Sequence, residues 1–336
     1  MKKVAIIGAG LQAKRRTPAI LEDPNYEVKW VVDLIPERAK KLATQANAQS
    51  EVSWKKVLAD NNLDVVLVLT YPNSHAEISI AAMNSGKDVL CEKPIAKTEK
   101  EAQEMVLVAK QTKKILKTGF NHRHHPAISE AYRLFKQNII GKPVFGRGRY
   151  GIAGRKGLEK EWRSDPNIII GGQFMDQGIH LVDLFRWFLG DVEKTTGFVS
   201  TNYWPISPQE DNGFALLHHK HGVTSSIHSS LTQWINLFEF EIYGEKGSLT
   251  VNGLGGTYGV EKLTVSLHDA NGPFSYQTTE FRGNDISWKK DWEEFTAAVE
   301  SRKEPEANSV VGLETLKIVN AVYLSSKTDR AINLKK

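Results

Sequence analysis

Short apolar runs alternate with longer amphipathic segments through the first third of the chain. Residues 4–7, 28–32, 65–69 and 88–91 are apolar runs that end in a glycine, in Asp33, in Thr70 and in Glu92-Lys93-Pro94; residues 115–118 make a fifth. Between them, helical patterns cover residues 14–21, 36–45, 54–59, 75–85 and 100–112. Short apolar strands separated by helices predict right-handed βαβ units and a parallel sheet buried on both faces.

The pattern changes after about residue 120. A helix over 126–138 and a strand over 144–150 lead into a glycine-rich, basic stretch, 151–157. After a helix over 176–189 the chain becomes strand-rich, with hairpin signals at His221-Gly222 and Glu245-Lys246-Gly247. Alternation in Phe238-Glu239-Phe240-Glu241-Ile242 predicts a strand with one polar face. Helices over 288–301 and 312–326 close the sequence. We therefore expect a parallel α/β domain, residues 1–120, and an α+β domain on a largely antiparallel sheet, residues 121–336.

Length and composition fit this division. The 336 residues suffice for two domains, and 40% apolar with 25% charged residues is ordinary for a globular protein. The net charge of +5 is spread along the chain, apart from Lys14-Arg15-Arg16 and Lys335-Lys336, and no nucleic-acid motif accompanies it, so no nucleic-acid partner is expected. A lone cysteine, Cys91, rules out an internal disulfide and fits a reducing compartment. Residues 4–7 are too short for a signal segment and no later stretch has the length of a membrane span. A cytoplasmic location without membrane contact is expected.

The first turn carries the first chemical signal. Gly8-Ala9-Gly10-Leu11-Gln12-Ala13 follows a predicted strand and opens a helix, the context a dinucleotide-binding turn requires. Gly8 permits the tight turn, Gly10 lets the backbone approach a pyrophosphate, and Ala13 lets helix and strand pack closely. Lys14-Arg15-Arg16 either add charge to that phosphate site or form a solvated helix face. Asp33 closes the second strand, where a carboxylate takes the ribose 2′-hydroxyl and repels a 2′-phosphate; NAD is thus favoured over NADP, with Arg38 the reservation.

Two further clusters lie where a bound nicotinamide would find a partner. Glu92-Lys93-Pro94 follows the fourth strand, and ligands of open parallel sheets bind beyond the strands' carboxyl ends. On a helix, Asp176, His180, Asp183 and Trp187 form one stripe beside an apolar stripe of Leu181, Leu184, Phe185 and Phe188. Gly171-Gly172 would let backbone approach a ligand. A structural histidine capped by the aspartate explains the polar stripe equally well. Histidines crowd at 122, 124 and 125 and again at 218, 219 and 221, but adjacent strand residues face opposite ways and no metal site is expected.

The motifs Gly8-Ala9-Gly10, Asp33, Thr70-Tyr71-Pro72-Asn73-Ser74-His75, Glu92-Lys93-Pro94 and Gly171-Gly172 with Asp176 and His180 occur in the order and spacing of the Gfo/Idh/MocA oxidoreductases, the glucose–fructose oxidoreductase and inositol dehydrogenase family. The chain resembles that family over essentially its whole length. The resemblance implies an N-terminal Rossmann doubly wound parallel sheet plus a C-terminal α+β domain with a large, mostly antiparallel open sheet. It implies that Lys93, Asp176 and His180 are catalytic, that Thr70, Pro72, Asn73 and His75 line the cofactor beside Glu92 and Lys93, and that Lys93-Pro94 is a cis peptide. Tyr71 and Gln173 depart from the commonest family pattern, in which small residues are frequent at these positions.

The expected activity is NAD(P)-dependent hydride transfer between nicotinamide and a secondary alcohol or ketone of a sugar, cyclitol or nucleotide-linked sugar. His180 or Lys93 serves as base, a choice the sequence leaves open, and Asp176 orients the substrate or His180. Asn121, Arg123 and Arg163 are candidate substrate contacts together with Asp176 and His180, and an anionic substrate would give Arg155 and Lys156 a purpose. A homodimer or homotetramer through the C-terminal sheet is expected. A cofactor-sensing regulator without activity and an NAD-dependent glycosidase are the alternatives on the same fold.

Overall fold

The computed structural model describes residues 1–268 and 272–334; Lys335-Lys336 lie outside the described residues. The chain folds as two compact units, Met1–Asn121 with Trp288–Glu314, and His122–Ser287 with Thr315–Lys336.

The first unit opens with β1 (Lys2–Ile7), α1 (Leu11–Leu21), β2 (Tyr26–Val32), α2 (Pro36–Gln45), β3 (Gln49–Glu51), α3 (Trp54–Leu58), β4 (Val65–Val68), α4 (Pro72–Asn84), β5 (Asp88–Glu92), α5 (Glu99–Thr112) and β6 (Leu116–Gly119). Its six strands lie in the order β3-β2-β1-β4-β5-β6, every pair parallel. The predicted doubly wound sheet is present, and the order reverses between β1 and β4, the switch point at which such sheets bind ligands. β4 and β5 are buried at every position because helices cover both faces. The helix starts follow local chemistry: Pro36 and Pro72 open α2 and α4, and Thr98 with Glu101 forms a capping box on α5. The edge strand β3 has no apolar run and was not legible as a strand.

The observed division differs from the expected one at Asn121, which ends the first unit, and in one longer stretch. Residues 288–314 belong with the first unit. Trp292, Phe295, Ala298 and Val299 join the core of Val4, Ile6, Ala13, Val31 and Leu67, and Tyr26 meets Trp292 edge-on at 5.0 Å. Periodicity predicts a helix there but says nothing about which core it covers.

The second unit contains α6 (Pro126–Lys136), β7 (Pro143–Ala153), α7 (Ile179–Leu189), β8 (Val192–Ser200), β9 (Asn212–His219), β10 (Thr224–Ser230), β11 (Thr232–Gly244), β12 (Gly247–Asn252), β13 (Glu261–Leu267) and β14 (Ser275–Phe281). After the first-unit helix α8 (Ser287–Ser301), α9 (Ser309–Thr328) and β15 (Ile332–Asn333) follow. The nine-stranded sheet runs β14-β13-β12-β11-β7-β10-β9-β8-β15, with β7 and β10 parallel and the other pairs antiparallel. Both expected hairpins form, around Glu245-Lys246 and around Gly222. Helix α7 lies on the inner face: Phe185 and Leu181 occupy the space where side chains at Gly146 and Gly148 would stand. On the outer face Arg147 pairs with Glu241 and Arg149 with Glu239, as the alternation in β11 predicts.

Candidate active site

In the first unit the dinucleotide turn is built as its glycines require. Gly8 has φ +100°, and a Cβ there would stand 2.6 Å from the Leu69 carbonyl oxygen. Gly10 is different: a Cβ would meet nothing within 4 Å, so its bareness serves no contact inside the protein. Helix α1 starts at Gly10 without a side-chain cap and without an acidic residue in its first turn, which leaves its N–H groups and positive dipole end to a ligand. Gln12 Oε1 is buried and meets no hydrogen-bond partner among the described residues. Bare space, open N–H groups and an orphaned polar atom fit a bound pyrophosphate. Asp33 Oδ2 accepts from Ala9 N at 2.8 Å and Oδ1 from Ile35 N at 2.9 Å, so the carboxylate steadies the turn and keeps lone pairs for a further donor. Arg38 is exposed on α2.

The turn after β5 is anchored on both sides of Lys93. Lys93-Pro94 is cis, as the resemblance implies. Before it, Glu92 is buried against Arg16, with Nε to Oε1 at 2.7 Å, and Glu92 Oε2 accepts from Lys93 N at 3.2 Å. After it, the Pro94 carbonyl meets His75 Nδ1 at 2.9 Å, and His75 Nε2 lies 3.0 Å from the Thr70 carbonyl. A neutral imidazole carries one N–H and donates to one of these; burial holds the His75 pKa below the ordinary value. His75 thus braces the Thr70 and Pro94 turns, while Asn73 is exposed and Ser74 Oγ bonds Thr70 Oγ1 at 2.8 Å. Burial pushes the Cys91 thiol up, which makes it an inert packing residue.

The Lys14-Arg15-Arg16 triplet divides. Lys14 and Arg15 are exposed, as a solvated face requires. Arg16 is buried and meets neither expectation: it pairs with Glu92 and, through Nη1 at 2.6 Å, with Asp291 of α8. Helical periodicity turns Arg16 inward beside Ala13 and Ile20, and the partners that make this tolerable are remote in sequence.

In the second unit Asp176 sits in a π-helical turn, Phe174–Gly178, that runs into α7, so the regular helical stripe expected from 176 onward is offset at its start. Asp176 Oδ2 accepts from Arg163 Nε at 2.8 Å. His180 is buried and stacks on His122 with ring centroids 3.7 Å apart, and His122 Nε2 lies 3.0 Å from the Tyr150 hydroxyl. Arg123 grips Asp183 through two bonds of 2.8 and 2.6 Å and lies over Trp187 at 5.1 Å. Asn121 is buried at the end of the first unit, and Arg155 pairs with Glu161. His125 meets Glu261, and His219 lies between the Gly190 carbonyl and Ser225.

Gly171-Gly172 require a correction. A Cβ on Gly171 would overlap the Tyr323 hydroxyl and one on Gly172 the Glu210 backbone, so these glycines admit protein rather than a ligand. Glu210 accepts from Gly172 N at 2.6 Å, Phe174 N at 2.8 Å and Tyr323 Oη at 2.8 Å, and thereby caps the π turn that carries Asp176. Burial nonetheless raises its pKa. Tyr150 and Glu210 escaped sequence reading: a tyrosine on a strand and a glutamate in a loop carry no motif.

Two family models match this chain. One, described as an oxidoreductase family with an NAD-binding Rossmann fold, covers residues 2–120, and the other, a GFO/IDH/MocA C-terminal domain, covers residues 128–250. The chain belongs to the GFO/IDH/MocA oxidoreductase family. Its relatives include levoglucosan dehydrogenase of Pseudarthrobacter phenanthrenivorans, 25% identical over 293 residues, or 74% of this chain and 73% of that protein. 1,5-Anhydro-D-fructose reductase of Ensifer adhaerens is 26% identical over 342 residues, 99% of each chain. A solved levoglucosan dehydrogenase in complex with NADH and levoglucosan shares the fold at TM-score 0.91 and 21% identity, with 99% of each chain covered. As a GFO/IDH/MocA protein the chain is an NAD(P)-dependent oxidoreductase, and its first unit is the NAD-binding Rossmann fold. Among the described residues no helix is long and apolar enough to cross a membrane.

Proposed function

We propose that this chain oxidises a secondary alcohol of a sugar or cyclitol, or reduces the corresponding ketone, with Lys93, Asp176 and His180 as its catalytic residues. The observation that carries the reading is the Lys93 turn, at the carboxyl end of β5 with Glu92 and Pro94 both tied down. Two relatives are named for levoglucosan and 1,5-anhydro-D-fructose, which supports a sugar substrate.

When bound, the nicotinamide supplies the two-electron acceptor or donor. Residues 1–120 hold the cofactor, with Gly8, Gly10, Leu11, Gln12 and Ala13 at the pyrophosphate and Asp33 at the ribose. The Asp33 carboxylate repels a 2′-phosphate and favours NAD. The second unit, His122–Ser287 with Thr315–Lys336, holds the substrate. His180 takes the hydroxyl proton on a ring nitrogen, as a general base. Lys93 supplies a donor that can stabilise a developing alkoxide. Asp176, fixed by Arg163, orients the substrate, and Arg123 supports the pocket through Asp183. Phe145, Phe198, Phe214 and Leu216 are exposed on the outer sheet face, which supports a homo-oligomer closing over it. The protein works in the cytoplasm.

The test is NAD and NADP reduction across a panel of cyclitols, free sugars, anhydro sugars and nucleotide-linked sugars. Turnover with NAD on at least one supports the reading, and Lys93→Ala should retain NAD binding while losing orders of magnitude in rate. Tight NAD binding with no turnover on any sugar would point to a regulator. Aglycone release without NADH would point to a glycosidase.

A further inference from the structure

We infer that Arg16 is a positioning residue for Lys93, acting through the Glu92 carboxylate. The inference rests on the reading of Lys93 given above. Arg16 lies on α1, the helix that the dinucleotide turn opens, yet its side chain is 2% exposed and points into the unit. Its Nε reaches Glu92 Oε1 at 2.7 Å and its Nη1 reaches Asp291 Oδ2 at 2.6 Å. The other oxygen of Glu92 accepts from the Lys93 amide. One carboxylate therefore separates the guanidinium from the backbone of the proposed catalytic lysine.

The surroundings are shaped for this arrangement. Gly119 on β6 has no side chain, and a Cβ there would stand 2.6 Å from Arg16 Nη2 and 3.3 Å from the Glu92 carboxylate. The Trp288 ring lies 4.8 Å from the guanidinium. Asp291 also meets the fully buried Lys117 at 2.7 Å, and Lys117 meets Glu294 at 2.8 Å. Charges of alternating sign thus run Glu92, Arg16, Asp291, Lys117, Glu294 through the interior of one unit. Burying such a chain is costly, and apolar packing would fill the same volume with more stability. What apolar residues cannot do is hold the Glu92 carboxylate in one orientation. A planar guanidinium directs its donors along fixed lines, which lysine does not reproduce. The helix that receives the cofactor and the turn that presents Lys93 are in this way joined by a single side chain.

A purely structural ionic cluster is the competing account, and a double-mutant cycle separates the two. Arg16→Lys, Lys93→Ala and the double variant are compared for NAD dissociation constant, kcat, KM and melting temperature, with NAD and the panel sugar turned over fastest. Misplacing Lys93 by a fraction of its length should lower kcat about 100-fold in Arg16→Lys, with NAD affinity and KM little changed. In the Lys93→Ala background the same substitution should cost nothing further. Without any substrate, the Lys93 amide proton resonance should move upfield in Arg16→Lys as its bond to Glu92 loosens. If Arg16→Lys fails to fold, Glu92→Gln keeps the shape, removes the charge and should give the same kcat loss and the same non-additivity. Losses that multiply in the double variant, or NAD affinity that falls in step with kcat, overturn the inference alone. Wild-type turnover in Lys93→Ala overturns the lysine assignment and the inference together.

Discussion

Each unit buries one arginine near residues proposed to be catalytic, and the two are held in different ways. Arg123 commits two bonds to one carboxylate, Asp183, sixty residues away, and Trp187 lies over it. Arg16 divides its bonds between two carboxylates on different elements, one of which, Asp291, serves Lys117 as well. An arginine that places two bonds on one carboxylate can be exchanged together with it. A shared carboxylate cannot, because its loss takes one of two carboxylate partners from Arg16 and from Lys117 at once.

The largest effect should follow from breaking the shared carboxylate. Asp291→Ala leaves Arg16 and Lys117 short of a partner in the interior and should lower stability by at least about 3–5 kcal/mol, read from urea unfolding. A small loss would mean that the network is wetter than its burial implies. Next, Arg123→Met should cost roughly 3 kcal/mol by stranding Asp183, whereas Arg123→Met with Asp183→Leu should recover most of it. Equal losses in the single and double variants would erase the contrast between the arginines. Gly171→Ala should cost about 1–3 kcal/mol, since φ is +87° and the methyl group overlaps Tyr323; Tyr323→Phe in the same chain should recover part of it. If that rescue fails, backbone conformation rather than the hydroxyl sets the cost.

The smallest effect separates the units by pH. Neither guanidinium titrates in the accessible range, so acid sensitivity falls to buried histidines. Burial holds His75, His219 and His228 below the ordinary 6.5. Below that value the unfolded chain binds the extra protons, and stability should decline as pH falls from about 7 to 5. His219→Gln should flatten the decline in melting temperature. An unchanged slope would place the sensitivity elsewhere, with His75 the next candidate.

Local pattern made much of the fold legible. The run of strand, glycine turn and helix at residues 4–21 could be read because its signals lie within a few positions, and the hairpin at Glu245-Lys246 for the same reason. What failed was whatever depends on a distant partner. Arg16 read as a phosphate-site charge or a solvated residue because Asp291 stands 275 residues away. Gly171-Gly172 read as a ligand approach because Tyr323 and Glu210 were not visible as their neighbours. The π turn at Phe174–Gly178 was hidden too, since Glu210 caps it from another segment.

The return of Trp288–Glu314 to the first unit has a consequence for synthesis. A ribosome releases the dinucleotide turn, the parallel sheet and Lys93 early, but the residues that complete their core emerge only after the whole intervening unit. Until Asp291 arrives, Arg16 and Lys117 have no shared counter-charge, and Tyr26 lacks the ring that covers it. The nascent Rossmann sheet is therefore an unfinished object with an open apolar seam until residues 288–314 have been made. Residues 288–314, made after the intervening unit, complete the core of the sheet that the first 121 residues begin.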